Sequence, residues 1–132
     1  TKLLSSLLSY SIYGHQENPS STKEESKLLG ELILNVRNLR MSGSAFDGVM
    51  VAQGKYGGFL CRRSKIWDNV GMHILIEEAG GICTDFFGQP IDYSNPTSKA
   101  GENFTFAAAP PALHKEIQKI IHGEKLFQAE SI

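Results

Sequence analysis

An aspartate in the first turn of a helix is the residue of this sequence best placed to do chemistry. Asp68 follows Trp67 in the run Lys65-Ile66-Trp67-Asp68, and the segment closes on Glu77-Glu78-Ala79-Gly80-Gly81. The paired glycines let the backbone turn sharply, so the helix has a defined end and Asp68 a fixed direction. In a first turn the unpaired N–H groups and the macrodipole favour the ionised carboxylate. An ionised carboxylate on a rigid element is a ligand for a hard cation such as Mg²⁺. The same position also suits a purely stabilising charge, because acids are enriched at helix starts for that reason alone. Both readings stay open from the residues themselves. Other constellations carry less: no serine sits in a G-x-S-x-G, and His15, His73, His114 and His122 lack ligand spacing. His73 and Glu77 form an i,i+4 surface pair. Cys61 has the cationic neighbours Arg62, Arg63 and Lys65, which can lower a thiol pKa, but no histidine stands near it, and a packed thiol is expected.

The helix that carries Asp68 is expected to start from a cap at Ser64. Its apolar residues Ile66, Trp67, Val70, Ile74, Leu75, Ile76 and Ala79 cover most of its circumference, which places it inside the protein. Ahead of it, Gly57 to Cys61 reads as a brief strand. Ser44 and Asp47 stand at cap spacing before a short helix of Ala45, Phe46, Val49, Met50 and Ala52, which Gly54 stops in a left-handed conformation. Leu39 to Met41 is a short extended piece. Further upstream, Lys2 to Tyr13 alternates enough to predict a strand, and His15 to Ser21 has loop composition. Ser21 and Glu24 have capping-box spacing before a helix whose face is Leu28, Leu29, Leu32, Ile33 and Val36, ending near Arg37 or Asn38.

Downstream, Ile82 to Thr84 reads as a strand and Asp85 to Asn103 as mostly irregular, with a short extended piece at Ile91 to Tyr93. Phe104 to Ala109 is a buried strand. Pro110 and Pro111 then open a helix with apolar Leu113, Ile117, Ile120 and Ile121, closed by Gly123. Residues 124–132 are expected to fray. Strands alternate with helices throughout, so the fold class is α/β: a layered α/β/α domain, its mixed sheet flanked by helices on both faces.

The 132 residues are 41% hydrophobic and carry 13 Lys and Arg against 14 Asp and Glu, enough for one core and not for two ordinary domains. A net charge of −1 offers no basic field for nucleic acid or an anionic membrane. No apolar run approaches the roughly 20 residues that cross a bilayer. Cys61 and Cys83 stand far apart with no C-x-x-C, which points to a reduced, cytoplasmic setting. The chain runs from Thr1 directly into apolar Leu3, Leu4, Leu7 and Leu8 and is expected to be part of a longer protein.

Trp67-Asp68 followed by a helix to Glu78-Ala79-Gly80-Gly81 resembles the C-terminal signature of the inositol monophosphatase family of Mg²⁺-dependent phosphomonoesterases. Arg40-Met41-Ser42-Gly43-Ser44-Ala45 and Val51-Ala52-Gln53-Gly54 resemble the same family, in the same order. The resemblance runs from near Glu24 to near Ile121. It implies that residues 1–132 are the C-terminal domain of a sugar-phosphatase-like fold. It also implies that Asp68 is a metal ligand sharing a Mg²⁺ with carboxylates of an N-terminal half, and that Gly43, Ser44 and Ala45 contact the substrate. A helix N-terminus with small residues admits an oxygen-rich ligand to its N–H groups; without the family, Gly43 and Ser44 read as an ordinary cap. Trp67 is expected in the core, and a homodimer is the assembly the family suggests.

The sequence also departs from the family. Val70 and Met72 stand where small residues are usual. Cys61 stands where many inositol-specific members have a glutamate that accepts hydrogen bonds from substrate hydroxyls, and a thiol is a weak acceptor. Arg62, Arg63 and Lys65 are then candidates to bind a second phosphate or a sugar phosphate, or form a solvated loop. The upstream glutamate and the Asp-Pro-Ile-Asp-Gly-Thr type motif that gather the metal ions are missing; the four aspartates are Asp47, Asp68, Asp85 and Asp92. The expected function is therefore half of a phosphatase that hydrolyses an inositol phosphate, a sugar phosphate or a nucleotide 3′-phosphate by metal-activated water, silent in isolation. The competing expectation is a non-catalytic interaction or phosphate-binding domain that kept the fold without the metal site.

Overall fold

Period-two alternation in the strands builds the centre of the molecule, here in a computed structural model that describes residues 2–43 and 45–123. Strands β1 (Leu7–Ser11), β2 (Asn38–Arg40), β3 (Gly58–Ser64), β4 (Ile82–Thr84) and β5 (Phe104–Ala109) form one sheet in the order β2-β1-β3-β5-β4. β1 pairs in parallel with β2 and β3, and β5 runs antiparallel to β3 and β4. Leu8, Tyr10, Leu60, Ala107 and Ala109 face one side, where α1 (Pro19–Ile33) brings Leu32 and α4 (Pro111–Ile121) brings Leu113, Ile117 and Ile120. Phe59, Cys61, Cys83, Phe106 and Ala108 face the other, packed by Val51 of α2 (Ala45–Ala52) and by Met72 and Ile76 of α3 (Ile66–Glu78). The sheet is mixed and covered on both faces, as expected. Strands buried on both faces read as continuous apolar runs, and the two outermost strands, β2 and β4, are only three residues long, which limits edge pairing.

The boundaries shift where side chains compete for the backbone. The strand expected over Lys2 to Tyr13 is shorter: a 3₁₀ turn spans Leu3–Ser5 before β1. The Ser5 and Ser6 hydroxyls both donate to the Lys2 carbonyl at 2.9 Å, a local alternative to a strand ladder. α1 starts a half-turn before Ser21, with Pro19 at the first position, where its missing N–H costs nothing. It also stops at Ile33, short of Arg37. Asn35 Nδ2 donates to the Glu31 carbonyl at 2.8 Å, and Val36 turns into the core. No strand forms at Ile91 to Tyr93. The expected residues 124–132 tail and Ser44 lie outside the described residues.

The largest correction concerns α3, which does not lie inside the molecule. Ile66, Met72 and Ile76 are buried, but Trp67 is 63% and Ile74 60% exposed, with Val70 and Leu75 also open to solvent. Trp67 is therefore not core in this chain. Apolar residues around the whole circumference need a layer on each side, and the sheet supplies only one. Among the described residues, no helix is long and apolar enough to cross a membrane.

Leu60 is fully buried in β3, so Leu60→Ala should cost about 2–5 kcal/mol in denaturant unfolding. Trp67→Gln should shift stability by no more than about 0.5 kcal/mol; a large loss would show that Trp67 packs internally. Burial pushes the Cys83 thiol from 9.0 to about 12, with Glu77 adding to the rise. The unfolded thiol ionises as pH rises past 9.0 while the native one keeps its proton up to about 12, so stability falls with pH in that window. The loss approaches about 1.4 kcal/mol per pH unit for one thiol. Urea unfolding from about pH 8 to 11 should show a steeper loss for this chain than for Cys83→Ala; equal slopes would contradict the assignment.

Candidate functional site

A cavity of about 200 Å³ opens where the chain leaves its three parallel strands. Tyr13 follows β1, Gly43 follows β2, and Cys61, Arg63 and Ser64 belong to the C-terminal half of β3; all line it together with Ala45, Trp67, Asp68, Asn69 and Met72. β1 is joined to β2 on one side and lies against β3 on the other, so the chain changes direction across the sheet at this point. Open α/β sheets bind ligands outside the carboxyl ends of their strands at such switch points.

The N-terminal turns of α2 and α3 both reach the cavity, through Ala45 and through Trp67 and Asp68. Their unpaired N–H groups and dipoles favour an anion there. Gly43 has φ +68°, and a Cβ on it would lie 2.5 Å from Ser11 Oγ, so the loop after β2 presses against the end of β1 as only glycine allows. Asp47 is buried in the first turn of α2 and accepts the Ser42 hydroxyl at 2.6 Å.

Asp68 does the local work of a cap. Its Oδ2 accepts the Lys65 backbone N–H at 2.9 Å, and Lys65, not Ser64, is the N-cap residue. The Ser64 hydroxyl instead donates to the Phe104 carbonyl at 3.1 Å. Asp68 is solvent-exposed, and Oδ1 remains available to a ligand. Among the described residues, no group of three His, Cys, Asp or Glu side chains could hold a metal ion.

The three cations expected near the site separate. Arg62 and Arg63 are successive residues of β3 and point to opposite faces of the sheet, and one extra residue opposite β5 between Cys61 and Ser64 interrupts the pairing there. Arg63 lines the cavity. Arg62 crosses to the opposite face, its guanidinium 5.2 Å from the Phe86 ring centroid and 5.8 Å from that of Phe87. Its Nε lies 3.7 Å from Oε1 of the fully buried Glu25, which His15 Nε2 approaches at 3.1 Å. Lys65 Nζ donates to the Gly101 carbonyl at 2.9 Å and does not line the cavity. Cys61 does line it, as a packed thiol: burial pushes its pKa up, against the direction its cationic neighbours suggest from sequence.

Two wall residues were not expected. Tyr13 is held at the cavity by its backbone N–H, which donates to Glu25 Oε2 at 3.5 Å. Asn69 is fully buried, and neither its Nδ2 nor its Oδ1 has a hydrogen-bond partner. A polar residue between Asp68 and Val70 on an otherwise apolar helix was the one signal available for it. Arg62→Ala leaves the Glu25 carboxylate short of a partner and should destabilise by about 2–4 kcal/mol in urea unfolding. Arg63→Ala should stay within about 0.5 kcal/mol; equal losses would refute the separation of the two arginines.

Comparison with known proteins follows this geometry. A sequence model of the inositol monophosphatase family matches residues 2–125. A Mycobacterium tuberculosis protein named probable inositol 1-monophosphatase is 36% identical over 84 residues, 63% of this chain and 28% of that protein. The 3′(2′),5′-bisphosphate nucleotidase of Schizosaccharomyces pombe is 39% identical over 54 residues, 41% of this chain and 15% of its own length. The solved inositol monophosphatase from Anabaena superposes with a TM-score of 0.72 at 28% identity, over 92% of this chain and 44% of that one. The chain thus spans less than half the length of each of these relatives. By its sequence and by its sheet, the chain belongs to the inositol monophosphatase family.

Proposed function

We propose that residues 1–132 are the C-terminal domain of a Mg²⁺-dependent phosphatase whose N-terminal half completes the metal site, and that the whole protein hydrolyses a small phosphomonoester. The single observation that carries this reading is the meeting of Gly43 and Ala45 after β2 with Arg63 and Asp68 of the following β3–α3 segment around one cavity at the end of the parallel strands. An inositol phosphate, a sugar phosphate or a nucleotide 3′-phosphate has the anionic group that this wall favours. The relatives named as inositol monophosphatase and bisphosphate nucleotidase support the same substrate class.

Each residue has a part in binding. Arg63 and the N–H groups at the starts of α2 and α3 attract the phosphate oxygens. Gly43 keeps the loop after β2 low enough for a ligand to approach the backbone. Ser44, next in the sequence, is proposed as a further contact. Among the described residues, Asp68 is the one acid in the cavity wall, and it fits a cation held jointly with carboxylates from elsewhere. Bound Mg²⁺ supplies an activated water and charge neutralisation at phosphorus. Arg62 and Lys65 act at a distance, Arg62 through Glu25 on the end of β1 and Lys65 on the loop at Gly101.

The exposed apolar side of α3 supports an N-terminal half packed there, because Trp67, Val70, Ile74 and Leu75 present one contiguous face beside Asp68. Cys61 and Cys83 are free and buried, which suits the reducing cytoplasm we propose as the setting.

Asp68→Asn separates the charge from the cap, since an amide oxygen still accepts the Lys65 N–H. In the full-length protein with Mg²⁺, this variant should lose about 100-fold or more of kcat/KM on the best phosphomonoester while unfolding at the wild-type temperature. EDTA should abolish wild-type turnover. An undiminished Asp68→Asn enzyme would sink the assignment of Asp68.

A further inference from the structure

Asn69 is a buried polar group without a partner at the wall of the cavity. Its carboxamide is 0% exposed, and Nδ2 and Oδ1 both lack hydrogen bonds. Leaving a buried donor and acceptor unmet is costly, and nearly all buried polar groups in folded proteins are paired. A carboxamide is retained at such a place when something that enters later pairs with it. Met72 lies one helical turn on and lines the same cavity. Its unbranched thioether moves aside readily.

The occupant needs a donor and an acceptor close together, which a hydroxyl provides in one atom. Cys61, in the same wall, accepts hydrogen bonds poorly, so polar recognition of a ring falls to another residue. The cavity of about 200 Å³ is smaller than the roughly 300–1,000 Å³ of pockets for larger ligands. A single polyhydroxylated ring fits against such a wall.

Building on the phosphatase reading above, we propose that Asn69 is a specificity-determining residue that pairs with a ring hydroxyl of a cyclitol or sugar phosphate. The carboxamide donates through Nδ2 to the hydroxyl oxygen or accepts its proton at Oδ1. A substrate without ring hydroxyls leaves it unpaired.

Asn69→Leu, with Asn69→Val as a second apolar variant, tests this in the full-length protein. Binding of inositol 1-phosphate and of cyclohexyl phosphate, which has the ring without its hydroxyls, is measured by calorimetry, alongside thermal unfolding without ligand. The wild type should prefer inositol 1-phosphate, and the variants should lose about tenfold of that affinity while binding cyclohexyl phosphate within about twofold of wild type. Their ligand-free unfolding temperature should rise, because an apolar side chain replaces an unpaired polar one. Variants that keep the preference for the hydroxylated ring overturn the proposal, as does a fall in unfolding temperature, which would mean that the carboxamide is already paired. A wild type with no preference between the two ligands overturns it too. Turnover of phosphomonoesters is scored separately: retained turnover with an unchanged preference refutes Asn69 alone, whereas absent turnover by the wild type refutes the phosphatase reading.

Discussion

The alternation of side chains along β3 decides what the site can be. Up to Cys61 the strand obeys the period of two, sending Phe59 and Cys61 to one side and Leu60 to the other. The same alternation sends Arg63 to the cavity and Arg62 to the far face against Phe86, Phe87 and Glu25, and the extra residue opposite β5 lets Ser64 line the cavity as well. Two adjacent cations thereby acquire opposite duties. One is available to an anion; the other offsets a buried carboxylate that holds the backbone of Tyr13.

The two sides of the sheet differ for the same physical reason. The side with α1 and α4 closes a core around Leu8, Tyr10, Leu60 and Ile117. The side with α2 and α3 closes only inward, through Phe59, Phe106 and Ile76, and leaves Trp67 and Ile74 outside. Burial of apolar area is the main favourable contribution to folding, so an apolar helix flank left in water is a surface with capacity for another layer. It lies next to Asp68, where the proposed metal site needs further carboxylates.

Much of the architecture was legible because its signals are local. Phe104–Ala109 and Pro111–Ile121 follow from a β-rich apolar run, a Pro-Pro step and a 3.6-residue period, and the structure forms both over those residues. Gly54 and Gly80 take the positive φ their positions require. The layered α/β class followed from strands alternating with helices, whereas the strand order depends on long-range pairing. Misplaced ends came from hydroxyl and amide side chains that bind nearby carbonyls, as Ser5, Ser6 and Asn35 do. Trp67 was misplaced because periodicity counts apolar residues without knowing how many layers are there to cover them. The strand expected over Gly57 to Cys61 stopped short of the Gly58–Ser64 that β3 spans, so its alternation was not carried on to Arg62 and Arg63. Asn69 was hidden between two residues that drew attention for other reasons.

The central claim is that the cavity at the ends of β1, β2 and β3 receives the phosphorylated ligand. A larger cavity of about 320 Å³ competes for that role at the opposite end of the sheet, lined by Ser5, Arg37, Lys55 and Pro110. Amide chemical shifts of the isotope-labelled chain, followed during titration with inositol 1-phosphate and Mg²⁺, distinguish the two directly. The signals of Gly43, Ala45, Arg63, Asp68 and Asn69 should move together with one affinity. Shifts confined to Ser6, Lys55, Gly57 and Ala112, at the other cavity, would contradict the account.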